Sequence, residues 1–261
     1  MSNAREVIDL THPLREELER RREAVFLALA GIFLGTMAML NIIGITRFVQ
    51  LGPLSVAVGV LPYPLTFLCT DLISEFFGRR RANLVVWIGL LLNGLVIGVI
   101  MLGEYLPPVS PAMQPPWQTL PLSKPIATPS GRLLEGEVEL FSLLYQCTAG
   151  AVLASMVAYL SAQFCDVWLF HYWKKLTNGR HLWLRNNGST LISQLVDSVM
   201  VVSITFGSAF FRGEMALEAL FMLLISNYAF KAAAALLDTL PFYVITGWLK
   251  GYLQLDPLEV R

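Results

Sequence analysis

Residues Ala82–Gly103 read ANLVVWIGLLLNGLVIGVIMLG, twenty-two positions without a charged side chain. At about 1.5 Å rise per residue, a helix of this length covers about 33 Å, enough to cross the roughly 30 Å hydrocarbon core of a bilayer. The rest of the chain agrees. It is 55% hydrophobic and only 15% charged, with a mean hydropathy of +0.59. Soluble domains carry about 25% charged residues. A soluble protein of this length needs a large hydrated surface that this chain cannot supply.

Reading outward from that run gives a series of apolar segments. Before it lie a first span, Ala24–Gly44, and a second region from Pro53 to Phe77. The second region holds Pro62 and Pro64, so its helix is expected to be kinked or broken at the prolines. After the quoted run, residues 104–139 carry eight prolines and form an extramembrane loop. A fourth span follows at Leu140 to about Phe170, a fifth at Ser189–Phe211 and a sixth from Leu217 to about Leu249, with Pro241 near its end. The expectation is an all-α polytopic membrane protein of about six transmembrane helices. It has one transmembrane domain, residues 24–249, between a leader (1–23) and a tail (250–261). The charged stretch Arg15 to Glu23, ahead of a first run of spanning length, argues against a cleaved signal peptide.

Basic residues orient the chain. Fourteen of the nineteen Lys and Arg fall in the leader, the 79–81 turn, the 171–187 loop and the tail, all on one side of the proposed membrane. The positive-inside rule puts that side, and both termini, in the cytoplasm. Trp173, Trp183 and Trp248 lie near the same boundary. The formal net charge is zero, which gives no footing for a nucleic-acid partner. Cys69, Cys147 and Cys165 are scattered through apolar stretches and offer neither a disulfide framework nor metal spacing. No cofactor is implied. The partners expected are a small molecule and the lipid bilayer, with self-assembly left open.

The polar residues inside the spans point to function. Each Asp or Lys near a helix centre costs roughly 2.5–3.5 kcal/mol to insert. This chain keeps Asp71, Glu75, Asp166, Asp197, Lys231 and Asp238, and adds Asn93, Gln146, Gln163, Gln194 and Asn227. The topology gathers most of them in the inner half of the bundle. Gln163/Asp166 and Gln194/Asp197 are i,i+3 pairs, and Lys231/Asp238 an i,i+7 pair, so each pair shares one helix face. Structural readings stand beside the functional one. Asp71, Glu75 and Asp166 also suit helix ends or pairing with Arg79–Arg81 and Lys174. Lys231 also suits a counter-ion role for Asp197 or Asp238. Asn93 and Asn227 also suit bonding between helices.

Three stretches carry a family pattern. Leu61–Asn83 reads LPYPLTFLCTDLISEFFGRRRAN, Leu184–Phe206 reads LRNNGSTLISQLVDSVMVVSITF, and Lys231–Tyr243 reads KAAAALLDTLPFY. In this order they resemble the queuosine precursor transporters, formerly called putative vitamin uptake transporters. The resemblance runs from about Ala24 to Leu249. The chain departs from the family in a longer 104–139 loop and in Asp-Thr-Leu-Pro where Asp-Thr-Pro is usual. The resemblance implies import of 7-cyano- and 7-aminomethyl-7-deazaguanine across a bacterial inner membrane, facilitated or proton-coupled. The residue types fit such a ligand. A carboxylate accepts two adjacent N–H groups of a guanine-like edge, and Gln or Asn serves the keto oxygen. Asp197, Gln194, Gln163 and Asn93 supply these groups, Phe67, Tyr145 and Tyr228 are the candidate stacking rings, and Asp71 or Asp238 suits a cationic aminomethyl group. Lys231, Glu75 and Asp166 complete the candidate set. No GxxxxGK[ST] pattern occurs, so the chain has no P-loop ATPase of its own. The alternative reading is a vitamin-binding membrane subunit energised by a separate ATPase module. An intramembrane enzyme is not expected, since serine-protease, aspartyl and His-Glu-x-x-His patterns are all missing from the sequence.

Overall fold

The computed structural model describes residues 11–43, 47–51, 54–127, 133–211, 213 and 216–255. Residues 1–10 of the expected leader, Gly44 and Pro53 at span boundaries, and 256–261 of the expected tail lie outside this set. Among the described residues there are five long helices: α1 (Thr11–Ile43), α2 (Tyr63–Tyr105), α3 (Leu140–Leu176), α4 (Leu182–Phe211) and α5 (Leu217–Leu253). The stretches Arg15–Leu40, Val58–Tyr105 and Leu217–Leu253 are each long and apolar enough to cross a membrane. The described part of the leader, residues 11–23, thus runs into the first span as one continuous helix to Ile43, and α4 begins seven residues before the expected Ser189.

The second apolar region differs from its expectation. Pro62 is the N-cap of α2 and Pro64 lies in its first turn. A missing N–H costs nothing there, because the first turn has no intrahelical acceptors for its donors. The prolines therefore start the helix rather than kink it. The break comes at Gly78, whose φ of 80° and ψ of 171° are essentially closed to residues with a Cβ. It divides α2 into arms 63–77 and 79–105. Ahead of the first arm the chain forms a hairpin, β1 (Phe48–Leu51) paired antiparallel with β2 (Leu54–Ala57), then a 3₁₀ turn at Val58–Val60.

Side-chain contacts fix how the helices run. Arg81 bonds Glu23 at 2.6 Å, Arg22 donates to the carbonyls of Leu253 and Gln254, and Lys174 lies 3.7 Å from Glu75. The Arg22–Glu23 turn of α1, the Gly78 break, the end of α3 and the end of α5 therefore meet at one basic end. At the opposite end Ser142 donates to Glu104 at 2.7 Å, joining α2 to α3. The proline-rich segment between them is a nested hairpin. In it β3 (Thr119–Pro121) pairs with β6 (Glu137–Glu139), and inside them β4 (Ile126–Ala127) pairs with β5 (Leu133–Leu134).

Two apolar cores hold the bundle. One packs Phe33 and Met37 of α1 against Ile73, Val85 and Val86 of α2 and Tyr159 of α3. The other packs Leu72 and Phe76 against Phe170 of α3 and Phe242 and Leu249 of α5. Between them runs a polar seam where α4 meets the first arm of α2.

Candidate functional site

The seam is built by α4. Arg185/Asn186, Ser189/Thr190, Ser193/Gln194 and Asp197/Ser198 recur every four residues and are all buried. A four-residue recurrence keeps side chains on one face of a helix, so the whole inner stripe of α4 is polar. The first arm of α2 answers it with buried Thr66, Thr70, Asp71, Ser74 and Glu75. Along that arm Tyr63 and Glu75 are twelve residues apart, about 18 Å.

The buried acids along this seam differ in what balances them. At the basic end Glu75, fully buried, accepts a hydrogen bond from Arg185 and lies 3.7 Å from Lys174, which also donates to its backbone carbonyl at 3.3 Å. Arg185 is held in turn by Gly179 O at 2.6 Å. At the far end Asp197 is satisfied on both oxygens. Tyr63 donates to Oδ1 at 2.9 Å and Lys231 of α5 donates to Oδ2. Lys231 also stands 4.8 Å from the centroid of the Tyr63 ring, a cation–π contact that further fixes the ammonium. Between these groups lie Asp71 and Asp166, with Thr190 3.4 Å from Asp71 Oδ2 and Ser193 donating to Asp166 Oδ1 at 3.0 Å. No cation bonds either of them among the described residues.

A cleft opens beside this seam. It is lined by Val60, Tyr63, Pro64 and Phe67 before and along α2, Thr190 and Gln194 of α4, and Phe230, Lys231, Ala234, Ala235 and Asp238 of α5. The cavity itself is only about 10 Å³, room for about one water molecule, so the cleft is closed down around its lining side chains. The walls are aromatic and aliphatic, with polar groups concentrated on α4 and α5. Gln194 Oε1 is buried without a hydrogen-bond partner among the described residues. A buried acceptor left unpaired costs about 1–3 kcal/mol, so such an atom marks a place where a ligand donor would be stabilising.

Of the residues singled out by sequence, Gln194, Lys231, Asp238 and Phe67 line the cleft. Asp197 stands behind it, engaged by Lys231 and Tyr63. Asp71 and Asp166 lie in the seam and do not line it. Glu75 belongs to the ion cluster at the basic end. Gln163 is fully buried, on the same face of α3 as Asp166. Asn93 is buried in the second arm of α2, and Tyr145 and Tyr228 are part-buried on α3 and α5, none of them lining the cleft. The sequence reading missed Tyr63, Pro64, Thr190 and Phe230 as cleft residues and Arg185 as the partner of Glu75. Tyr63 and Pro64 were within reach, inside the quoted LPYPLT run. The four-residue recurrence on α4 would have found Thr190 and Arg185.

Residues 57–245 match the model of the family described as "Putative vitamin uptake transporter". The chain belongs to this family. The matched span encloses every cleft-lining residue and the Glu75–Arg185 pair. A relative from Bacillus subtilis (strain 168), the "Probable queuosine precursor transporter", is 25% identical over 216 residues, covering 81% of this chain and 80% of its own. No solved structure matches. Family membership and the apolar helices make the protein a membrane transporter, and the cleft, with its buried unpaired acceptor, is the natural candidate for its small-molecule site.

Proposed function

We propose that this transporter imports queuosine precursors, 7-cyano- and 7-aminomethyl-7-deazaguanine, across a bacterial inner membrane. Its basic end and both chain ends lie in the cytoplasm, and the two arms of α2 count as separate passes, six in all. The observation that carries the reading is the cleft. It pairs flat walls at Phe67, Phe230 and Tyr63 with a carboxylate (Asp238), an unpaired amide oxygen (Gln194), a hydroxyl (Thr190) and an ammonium (Lys231). A 7-deazaguanine offers the matching edges, with planar faces, adjacent N–H donors for a carboxylate and a keto oxygen for a cationic or hydroxyl donor, and the cleft must widen to admit it. The name of the Bacillus relative points to the same substrate class.

In this reading Asp238 rather than Asp197 meets the guanine-like edge, because both Asp197 oxygens are already taken by protein donors. Asp197 positions Lys231. The Glu75–Arg185–Lys174 cluster, about 18 Å further along the first arm, closes the cytoplasmic end and must part for release.

The test is uptake in cells that neither make 7-deazaguanines nor carry another transporter for them. This chain expressed alone, with either precursor supplied, is expected to restore queuosine in tRNA. Asp238→Asn is expected to weaken uptake about 10- to 100-fold, as loss of a charged hydrogen-bond partner worth about 1.5–3 kcal/mol would. No restoration by the membrane-inserted wild type would overturn the reading and favour a vitamin-binding subunit that needs a partner ATPase.

A further inference from the structure

The seam holds two acids with no cation. Asp71 is 1% exposed and Asp166 is fully buried. Both are held by hydroxyls one turn apart on the same face of α4, Asp71 by Thr190 and Asp166 by Ser193. Two neighbouring buried carboxylates without a cation are costly to keep ionised together, so one proton bound by the pair is the balanced arrangement. The remaining donors do not alter this. Ser193 serves Asp166 Oδ1, and the Thr190 hydroxyl is shared between Asn186 O at 2.9 Å and Asp71 Oδ2 at 3.4 Å. Asp71 Oδ1 and Asp166 Oδ2 have no donor among the described residues.

Other groups around the pair define its setting. Glu75, one turn along α2, is balanced by Arg185 and Lys174. Asp238 of α5 is near enough to act electrostatically on Asp71, and the charge of Asp166 reaches Tyr63. Lys231 is committed to Asp197. On its other face the first arm meets apolar α1 side chains, Ala30, Phe33 and Met37. Gln163 is the independent sign of an incomplete site. It is fully buried one turn before Asp166 on the same face of α3, and both its amide atoms lack a partner among the described residues. The pair also communicates with the cleft, because Thr190 lines the cleft and touches Asp71.

We infer that the Asp71–Asp166 carboxyl pair is the proton-binding site that couples transport, taking up one proton from outside with the substrate and releasing it to the cytoplasm. Thr190 links its protonation to occupancy of the cleft. This rests on the import reading above but names a site that does not touch the substrate.

Two measurements test it. The first needs no substrate: infrared spectra of the purified full chain at neutral pH. A carboxylic-acid C=O band is expected, lost in Asp71→Asn and in Asp166→Asn. Absence of that band from the wild type, which depends on no variant folding, overturns the inference. The second uses proteoliposomes and radiolabelled 7-cyano-7-deazaguanine, which has no titrating amine. An inward acid gradient of about one pH unit is expected to drive about tenfold accumulation for one proton per substrate. Either Asn variant should abolish that accumulation while keeping exchange of labelled for unlabelled base at equal pH. Accumulation that ignores the proton gradient, follows a sodium gradient instead, or survives in both variants overturns it. If no 7-deazaguanine exchanges at all while the infrared band is present, the substrate reading fails and the proton site stands.

Discussion

Replacing Glu75 tests whether one buried carboxylate ties three helices together. Glu75 is fully buried, Arg185 is 3% exposed and Lys174 is 10% exposed on its side chain. Breaking a buried pair by deleting one partner costs about 3–5 kcal/mol, because the survivor is left as an uncompensated charge. Glu75→Gln strands two cations, so its cost should fall at the top of that range. Arg185→Met leaves Glu75 with Lys174 at 3.7 Å, where a pair at an effective dielectric near 20 still interacts by about 4 kcal/mol before desolvation. Its cost should be nearer 3 kcal/mol. Lys174→Met removes the longer, more exposed contact and should cost about 1 kcal/mol. With about 2–4 °C of melting temperature per kcal/mol for a chain of this size, the ordering should be readable in detergent. Expected falls are roughly 10–20 °C for Glu75→Gln, half to two-thirds of that for Arg185→Met, and a few degrees for Lys174→Met. A Glu75→Gln shift below about 3 °C, or Arg185→Met more damaging than Glu75→Gln, would refute the carboxylate-centred cluster.

Other positions make independent demands. Asp197→Asn leaves Lys231 buried without its anion and should destabilise by about 3–5 kcal/mol. Adding Lys231→Met should recover most of that stability but not uptake, as a double-mutant cycle of melting and transport would show. Gly78→Ala forces a Cβ into φ 80°, ψ 171° and should cost about 1–3 kcal/mol by denaturation, whereas Gly94→Ala, with nothing near its missing Cβ, should be neutral or stabilising. His171, at the basic end, is pushed down to about 4 by burial, and then by Lys174 and Arg79. Between its ordinary 6.5 and about 4 the unfolded chain binds the proton more readily, so this residue's contribution is intact above pH 6.5 and lost as pH falls towards 4. Melting curves across that range should be flatter for His171→Gln, and equal slopes would count against the burial argument.

How much of this was legible in the sequence depends on the kind of signal. Apolar runs gave helix positions well, because insertion into lipid is decided by the local sum of side-chain transfer energies. The break in α2 was misplaced for a physical reason. Pro62 and Pro64 are strong punctuators but are harmless in a first turn, whereas Gly78 looks the same in sequence as Gly94 or Gly98, and only its positive φ separates it. The second partner of Asp197 was hidden for another reason. Tyr63 is 134 residues away and Lys231 is 34, and nothing local says that both reach the same carboxylate. Lys231 suits a counter-ion role by its charge alone, whereas a tyrosine in a proline-flanked run carries no such mark.

Compensation of charge sorts the buried acids better than their number does. An ionisable group in the bilayer must be balanced or be kept for a purpose, since insertion costs roughly 2.5–3.5 kcal/mol. Glu75 has two cations and Asp197 has a cation and a phenol, and both can be understood as parts of the scaffold that clamp helices at the two ends of the seam. Asp238 faces the cleft, where a ligand can supply its donors. Asp71 and Asp166 have only hydroxyl donors among the described residues. Stability alone gives no reason to keep that pair, because a neutral pair would fill the same space at lower cost. Under the proposed import, the acids the protein scaffold does not balance are therefore the ones to which transport is assigned, Asp238 for the substrate and the Asp71–Asp166 pair for the proton.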